Sequence, residues 1–316
     1  MKERALIATL LAPLATSGSA RGLRDDAAVL APPLGRELVL THDILASGIH
    51  YLPSDPASDV AWKLLAVNLS DLAAMGARPL GVMLGLGLSA AEDEAWVTAF
   101  TAGLGRGLEH WGVALYGGDT VSGLAQAVLG LTAIGQVEPG RALSRASARP
   151  GDVLYVSGTI GDAGLGLGIA SGRIAKGEAA PDKFLINRFR RPYPRLALGQ
   201  ALAGLATAAM DVSDGLLIDA ERLASASGVA VTIELARLPL SAAALARTAP
   251  GDAGQLERAA AGDDYELLFT LPAGVAPPVG VQVTVVGHVS AGAGLTVIGN
   301  SGEVVQPERL GWEHGS

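Results

Sequence analysis

Short apolar segments that each end at an aspartate or a glycine are the feature that most constrains how this chain folds. Leu38-Val39-Leu40 runs into Thr41-His42-Asp43, and Val113–Tyr116 runs into Gly117-Gly118-Asp119-Thr120, which has the composition of a turn. Stretches with helical periodicity lie between such segments, and the first long one ends at Gly76. Strands that alternate with helices are typical of α/β and α+β domains, so the pattern predicts a fold of that class.

The spacing of apolar residues and the turn signals predict the individual elements. In the first half we expect a helix from Asp55-Pro56 to Gly76, and strands over 81–88 and 125–137. Ser89 and Glu92 have the spacing of a capping box, which predicts that another helix begins there and ends near Gly112. In the second half, helices are expected near 162–171, 195–206 and 216–227, and strands near 153–156, 229–234, 266–271, 283–288 and 295–298.

The first 20 residues loosely imitate a signal peptide, with an apolar stretch before small residues. Glu3 and Pro13 do not fit that interpretation, and leucines from Leu6 to Leu14 repeat at helical spacing. The spacing favours an amphipathic helix that packs on a core. No other segment approaches 18 uncharged apolar residues, so we expect a cytoplasmic protein with no membrane segment.

The segment 138–152 is polar, contains glycine and proline, and has no periodicity. It therefore marks a candidate domain boundary. We expect one domain over 1–138 and a second over 139–316, which agrees with the two domains that 316 residues suggest.

Composition excludes several classes of function. Hydrophobic residues make up 49% of the chain, enough for a large core. A net charge of −8 and a scarcity of lysine argue against a nucleic-acid partner. The absence of cysteine excludes disulfides, thiol catalysis and zinc–thiolate sites, and no Walker A sequence is present.

The placement of the aspartates carries the clearest chemical signal. Seventeen are present, and several stand at strand ends or beside glycine, where such residues commonly form turns and caps. Asp71 is different, because it lies among apolar residues on a predicted helix, where a carboxylate needs a cation or hydrogen-bond donors. Hard oxygen ligands are what Mg²⁺ requires, so the set indicates phosphate chemistry with several metal ions.

The segment Val67–Pro79 (VNLSDLAAMGARP) closely resembles the thiamine-monophosphate kinase family, within the aminoimidazole ribonucleotide synthetase-like superfamily of ATP-binding enzymes. The likeness continues, in family order, through nearly the whole chain after residue 23. Its further motifs are Gly117–Thr120, Gly140–Arg145, Pro150–Asp152, Asp211–Leu216 and Asp263–Leu267.

The resemblance implies a two-domain aminoimidazole ribonucleotide synthetase-like fold. Its N-terminal mixed sheet with helices would bind ATP and Mg²⁺ and pair with a second copy in a homodimer. Its C-terminal α/β domain would complete the nucleotide and substrate site. The implied reaction is direct in-line transfer of the ATP γ-phosphate to thiamine monophosphate, giving thiamine diphosphate and ADP.

The resemblance also implies site residues. Several Mg²⁺ ions would be held by Asp26, Thr41, His42, Asp43, Asp71, Asp119, Asp211 and Asp214, and Asp71, Asp119, Asp211 and Asp214 would be catalytic. ATP would contact Tyr116, Gly118, Asp119, Arg145 and Ser213, and thiamine phosphate would contact His50, Asp263 and Trp312. The family usually has threonine in place of His42, so His42 is expected to face away or to contribute only its backbone carbonyl.

Alternatives remain inside and outside the superfamily. Aminoimidazole ribonucleotide synthetase, selenide-water dikinase and a hydrogenase-maturation enzyme share the implied fold, but the last two usually depend on a reactive cysteine or selenocysteine. A dimeric binding module that has lost turnover is a further alternative. The retained metal aspartates favour a catalyst.

Overall fold

The computed structural model describes residues 3–313, and the chain divides into two compact units. The first unit extends to Leu72 and resumes over Ala77–Gly140. The second contains Ala73–Gly76 and the chain from Arg141 onward.

A four-stranded mixed sheet forms the centre of the first unit. Its strands are β1 (Glu37–Ala46), β2 (Arg78–Ser89), β3 (Ala114–Leu124) and β4 (Val128–Val137). The strand order is β1-β4-β2-β3, with β2 and β3 parallel and the other neighbours antiparallel. β1 and β3 therefore form the two edges of the sheet.

The N-terminal segment is helical, as its leucine spacing predicts, but its helix type changes along the way. α1 (Glu3–Leu6) continues as a π turn over Ile7–Leu11 and a 3₁₀ turn over Ala12–Leu14. Pro13 has no N–H for an α-helical ladder, which is one reason that a regular α-helix does not continue. Leu6 and Leu11 are buried, as expected for an amphipathic segment.

Two long helices complete the first unit. α2 (Ala57–Ala74) matches the prediction and is buried on nearly every side. α3 (Glu94–Trp111) ends at Gly112, as predicted, but its N-cap is Asp93, whose side chain accepts the Trp96 N–H at 2.8 Å. The capping-box prediction is therefore wrong about where the helix begins. Glu92 does accept the Ser89 N–H at 3.0 Å, but within the turn that precedes the helix.

The glycine-rich segment after Tyr116 is also different from its prediction. Gly117, Gly118 and Asp119 belong to β3 and pair with Met83, Leu84 and Gly85 of β2 rather than forming a turn. The register shifts beside Tyr116, which marks a bulge in the strand. Glycine suggested a turn from the sequence, whereas in the structure it permits close approach of two backbones.

A seven-stranded sheet forms the second unit. Its strands are β5 (Val153–Ser157), β6 (Ala208–Asp211), β7 (Ala230–Glu234), β8 (Leu267–Leu271), β9 (Val283–Ser290), β10 (Gly294–Ile298) and β11 (Val304–Val305). The order is β11-β10-β7-β9-β5-β8-β6, and only β7 and β10 form a parallel pair among these strands. The five predicted strands are confirmed, with boundaries that differ by one or two residues.

The helices of this unit pack in part on the sheet and in part on one another. They are α4 (Asp162–Ala170), α5 (Ala179–Arg190), α6 (Leu196–Leu202), α7 (Leu216–Ser227), α8 (Ala242–Leu245) and α9 (Asp252–Ala259). The prediction found α4 and α7, and it overestimated the length of α6. It missed α5, α8 and α9, because α5 and α9 mix apolar residues with polar and charged ones, and α8 is a single turn. A core cluster joins α7 to the strands and includes Leu217, Leu223, Ile233 and Leu268.

The α/β class with a mixed sheet in each unit agrees with the prediction. Across residues 3–313, no helix is both long enough and apolar enough to cross a lipid bilayer.

Candidate functional site

Side chains of β1 and α2 whose oxygen atoms are candidate metal ligands meet at one edge of the first sheet. We call such oxygen atoms oxygen donors. The Thr41 hydroxyl donates to Asp71 Oδ2, which joins the middle of β1 to the C-terminal half of α2. One turn earlier on α2, the buried Asn68 accepts the Asp43 N–H at 3.0 Å. Asn68 is itself fixed, because its amide donates to the Leu64 carbonyl at 2.9 Å. Three of the predicted metal residues, Thr41, Asp43 and Asp71, are thus brought together.

His42 lies between two of these residues in sequence, but its ring is on the other side of the sheet. Strand alternation turns it away from Thr41 and Asp43, and its Nδ1 lies 2.9 Å from Thr132 Oγ1 on β4. Of the two expectations for His42, the geometry favours the one in which the ring faces away.

A cavity of about 220 Å³ lies beside β3 in the same unit. Four candidate residues line it, namely Asp26, Tyr116, Gly118 and Asp119. Apolar side chains of the N-terminal helical segment, such as Ile7 and Leu11, form part of its wall. The cavity therefore combines two candidate carboxylates with an apolar surface.

Close backbone packing explains why glycine stands at 118. A Cβ atom at this position would overlap the Leu84 carbonyl oxygen of β2. Tyr116 donates from its hydroxyl to the Leu80 carbonyl at 3.1 Å, and burial raises the pKa of Tyr116, so the phenol remains a donor. These contacts fix the strand that carries Asp119.

The two groups of oxygen donors lie at opposite edges of one sheet. Asp43 is level with Leu131, Leu84 and Gly118 on successive strands, so three strand spacings, about 14 Å, separate the two edges. Among residues 3–313, no three carboxylate or imidazole side chains approach closely enough to form a metal site by themselves. The donor set still suits Mg²⁺, which is commonly held by one or two carboxylates together with water and substrate phosphates.

His50 follows β1 and is held by backbone contacts. The Ala46 N–H donates to His50 Nδ1 at 3.0 Å, so the neutral ring carries its proton on Nε2. The buried Lys63 donates to the His50 carbonyl at 2.9 Å. The ring is therefore oriented as a donor through Nε2, a suitable arrangement for a phosphate oxygen.

In the second unit, the turn between β6 and α7 carries Asp211, Ser213 and Asp214. Asp211 ends the buried strand β6, and Gly215 stands immediately before α7 with φ of 131°. Residues with a side chain rarely adopt this φ, and a Cβ atom at Gly215 would lie 3.1 Å from the Ala260 carbonyl oxygen. A side chain would therefore be poorly tolerated at this position. A sharp strand-to-helix turn therefore presents the two aspartates and the serine.

Asp263 and Trp312, far apart in sequence, both reach this turn. The Asp263 N–H donates to the Ser213 carbonyl at 2.7 Å, and the Trp312 N–H donates to the Asp214 carbonyl at 2.9 Å. Asp263 and Tyr265 have positive φ angles of 69° and 51°, which are unusual for residues with a side chain and occur often at functional sites. The structure thus joins the predicted substrate residues of this unit to Ser213, a predicted nucleotide residue, and to Asp214, a predicted metal residue.

The backbone at Ser144 and Arg145 is hydrogen-bonded to β6 and to the last residue of α7, the two elements that the turn connects. Ser144 accepts the Ala209 N–H of β6 at 3.1 Å, and the Arg145 carbonyl accepts the Ser227 hydroxyl at 2.8 Å. The Arg145 side chain is exposed. A guanidinium in this position is accessible to an anion.

Sequence reasoning missed a second layer of charged residues in this unit. Asp219 accepts backbone N–H groups of the turn, and Arg222 donates to both Asp214 and Asp219. Burial raises the pKa of Asp219 to about 6, the Asp214 charge adds to this effect, and Arg222 opposes it. Asp219 and Arg222 follow the Asp211–Leu216 motif and are three residues apart on α7. This helical spacing is the sequence signal that would have revealed the pair.

A second missed group supports the segment that contains Asp263. Glu266 is fully buried and accepts from Arg188 at 2.9 Å and from Arg195 at 2.6 Å. Asp264 accepts the N–H groups of Gly161 and Ala163 at the start of α4, at 2.6 and 3.3 Å. Asp264 and Glu266 stand in a motif that the sequence singled out, but no local spacing links them to their partners.

Two family models match most of the chain. The AIR synthase related protein N-terminal domain matches residues 24–137, and the AIR synthase related protein C-terminal domain matches residues 149–300. Fold and matched regions together define an AIR synthase related protein of two domains.

Individual relatives narrow this class. A thiamine-monophosphate kinase from Caulobacter vibrioides is 40% identical over 321 residues, covering 98% of this chain and 90% of that protein. The crystal structure of thiamine-monophosphate kinase from Stenotrophomonas maltophilia K279a is 40% identical, with a TM-score of 0.81 over 90% of this chain and 91% of that chain. A structure of AaThiL complexed with AMPPCP and TMP is 33% identical, with a TM-score of 0.80 over 92% and 91% of the two chains. This chain belongs to the thiamine-monophosphate kinase family.

Proposed function

We propose that this protein transfers the γ-phosphate of ATP to the phosphate of thiamine monophosphate, giving thiamine diphosphate and ADP. The family relation and the complex of a relative with AMPPCP and TMP support this reaction. The observation that carries it is the grouping of Thr41 with Asp71 and of Asp26 with Asp119, all within the region 24–137 that matches the N-terminal family model. These are oxygen donors, and an acceptor phosphate brings its own anionic oxygen as nucleophile.

Each unit would supply a different part of the reaction. The first domain, over 1–138, would bind ATP and metal, with Tyr116, Gly118 and Asp119 near the nucleotide. The second domain, over 139–316, would complete the site with Arg145 and Ser213 toward ATP. His50 from the first domain and Asp263 and Trp312 from the second would contact thiamine phosphate. We expect the reaction in the cytoplasm, where ATP is available as a substrate.

Magnesium fits the donor chemistry of both units. Asp26, Thr41, Asp43, Asp71 and Asp119 in the first unit, and Asp211 and Asp214 in the second, are the residues that would hold several Mg²⁺ ions, with the His42 carbonyl as a further oxygen. When bound, Mg²⁺ neutralises phosphate oxygens and holds donor and acceptor groups in line. The protein's own task is then to keep the carboxylates oriented and to align the two substrates.

We further propose a homodimer formed through the first sheet. The face of the sheet that carries the His42 ring has a set of exposed apolar side chains, namely Leu38, Leu40, Ile44, Met83, Val121 and Val128. Monomeric proteins seldom leave such a continuous apolar surface in water. Burial against a second copy would remove it.

The placement of the oxygen donors supports the same assembly. One group lies at the β1 edge of the sheet and the other at the β3 edge. If β1 of one protomer paired with β3 of its partner, the two strand edges that carry these groups would become adjacent, and the apolar face would line the interior of a closed barrel.

Product analysis tests the proposed reaction. The protein is incubated with Mg²⁺, γ-labelled ATP and either thiamine monophosphate, thiamine or aminoimidazole ribonucleotide precursors as acceptors, and the products are separated by anion-exchange chromatography. We expect label in thiamine diphosphate, with one ADP formed for each. Stoichiometric AMP or free phosphate, or label in another acceptor only, would show that the proposal is wrong.

A further inference from the structure

One side chain, that of Asp219, accepts the backbone N–H groups of the turn between β6 and α7. Asp219 Oδ2 accepts the consecutive N–H groups of Ser213 at 3.1 Å, Asp214 at 3.1 Å and Gly215 at 3.2 Å. Asp219 lies in the first turn of α7 and is fully buried. A carboxylate in this place suits the positive end of a helix, and it fixes three amides that no sheet or helix ladder engages.

The carbonyl side of the same turn holds the segments assigned to the acceptor. Ser213 accepts the Asp263 N–H, and Asp214 accepts the Trp312 N–H. A shift of the turn would therefore move the residues assigned to ATP and those assigned to thiamine phosphate at the same time. Asp219 opposes such a shift, because it accepts the N–H groups of the turn while the carbonyl groups bind Asp263 and Trp312.

Arg222 connects the buried carboxylate to a candidate metal residue. Its Nη1 donates to Asp214 Oδ2 at 2.5 Å and to Asp219 Oδ1 at 2.9 Å. Both oxygens of Asp219 are thus engaged, one by the backbone and one by the guanidinium. The orientation of the Asp214 carboxylate follows from that of Asp219, because the same guanidinium nitrogen binds both.

We propose that Asp219 and Arg222 are positioning residues for phosphate transfer, which set the geometry between the ATP-side and acceptor-side groups of the second unit. The proposal rests on the proposed function. Neither residue touches the reacting atoms in this role. They act through the backbone of Ser213–Gly215 and through the Asp214 carboxylate.

The effect of Asp219→Asn follows from the hydrogen bonds. The neutral amide oxygen accepts the three N–H groups of the turn more weakly than the carboxylate does, and the amide nitrogen faces the Arg222 guanidinium, so two donors oppose each other. The backbone of the turn and the Asp214 carboxylate are then no longer held in place through one side chain. Arg222→Met removes the link to Asp214 and leaves the three N–H bonds in place.

Three measurements on purified variants test the proposal. Steady-state kinetics well below the melting temperature should show that kcat falls at least tenfold in Asp219→Asn and that KM rises for both ATP and thiamine monophosphate. Hydrogen–deuterium exchange should show faster exchange at residues 213–215 in Asp219→Asn but not in Arg222→Met. The double variant should lose little more activity than Asp219→Asn alone, because both residues act through one geometry.

Asp182→Asn is the matched control, because Asp182 is also buried and accepts a backbone N–H, from Gly177 at 2.6 Å, on another helix of the same unit. It should retain kcat within twofold even if its melting temperature falls. Full kcat in Asp219→Asn and in Arg222→Met would overturn the proposal and leave a purely structural role. If Asp219→Asn does not fold, the kcat of Arg222→Met decides the question. The Arg222 side chain is partly exposed, so we expect this variant to fold.

The proposed function and this inference fail in different ways. If the wild-type protein forms no thiamine diphosphate, the proposed function is wrong. Faster exchange at 213–215 together with weaker AMPPCP binding by calorimetry in Asp219→Asn would then still support the positioning role, and unchanged exchange and binding would overturn it.

Discussion

Asp71 is a carboxylate on a helix that is buried on nearly every side, and the Thr41 hydroxyl donates to it. Asp71→Asn preserves the shape of the side chain and removes one charge from the proposed metal group. We expect kcat to fall by about two orders of magnitude or more with the fold intact, because charge neutralisation of the phosphates is the proposed role. Steady-state kinetics at saturating Mg²⁺ and circular dichroism measure the two effects.

Asp93→Asn is the control for this variant. Asp93 caps α3 in the same unit, and asparagine is an equally good N-cap, so activity and stability should both remain near those of the wild type. A lower melting temperature with normal turnover in Asp71→Asn would mean that Asp71 is a structural residue.

Trp312 meets the turn through its backbone, whereas its side chain is 53% exposed. An indole exposed to this extent contributes little to a core and is accessible for stacking on an aromatic substrate. Trp312→Ala should therefore raise KM for thiamine monophosphate several-fold, about 1 kcal/mol of stacking, and leave KM for ATP nearly unchanged. Equal changes in both constants, or none, would remove the side chain from the acceptor site.

Asp264 makes stability depend on pH. Burial raises its pKa to about 8, and Arg188 and the Gly161 N–H oppose this only in part. Between about pH 4 and pH 8 the unfolded chain releases this proton while the folded chain keeps it, so the contribution of Asp264 to stability decreases as pH rises.

Urea unfolding of the wild type and Asp264→Asn at pH 5, 6.5 and 8 measures this contribution. The wild type should lose stability relative to the variant as pH rises, by up to about 1.4 kcal/mol per pH unit. A difference that stays constant with pH would mean that Asp264 is ionised in the folded protein.

At the scale of elements, β3 depends on close approach to β2. Gly118→Ala would place a Cβ against the Leu84 carbonyl, whereas a Cβ at Gly117 would meet only Met83 Cε, at 3.8 Å. We expect Gly118→Ala to lower the free energy of unfolding by about 1–3 kcal/mol and to reduce activity, because the strand that carries Asp119 must move. Gly117→Ala should fold with nearly normal stability and serves as the control. Thermal melting and kinetics of both variants, side by side, check the expectation, and equal behaviour of the two would contradict it.

At the scale of the whole molecule, the proposed homodimer would cover the exposed apolar face of the first sheet. Leu40 lies on this face, in the edge strand β1, and is 63% exposed, whereas Leu245 on α8 in the second unit is 61% exposed. Leu40→Lys should convert the proposed homodimer to monomers and lower activity, because a charge in a buried interface is costly. Leu245→Lys should remain dimeric. Sedimentation velocity of both variants measures the assembly, and a Leu40→Lys dimer as stable as the wild type would rule out this face.

The local structure of this chain was determined largely by its sequence. Apolar periodicity located α2, α4, α7, the strands of the first sheet and five strands of the second, and the glycine at 112 marked the end of α3, since these depend on interactions within a few residues. The short strands β6 and β11 were not among the predicted strands. The motifs also supplied the candidate site residues, such as Asp71, Asp119 and Asp214.

Tertiary structure decided which of these residues meet. Strand register placed Asp43 and Asp119 at opposite edges of one sheet and turned the His42 ring to the other face, and close backbone packing drew Gly118 into a strand. The pairing of Glu266 with Arg188 and Arg195, and the hydrogen bonds that join Asp263 and Trp312 to one turn, span 50 or more residues of chain. Local propensity contains no information about such pairs, because the free energy that selects them comes from burying the whole core in one register.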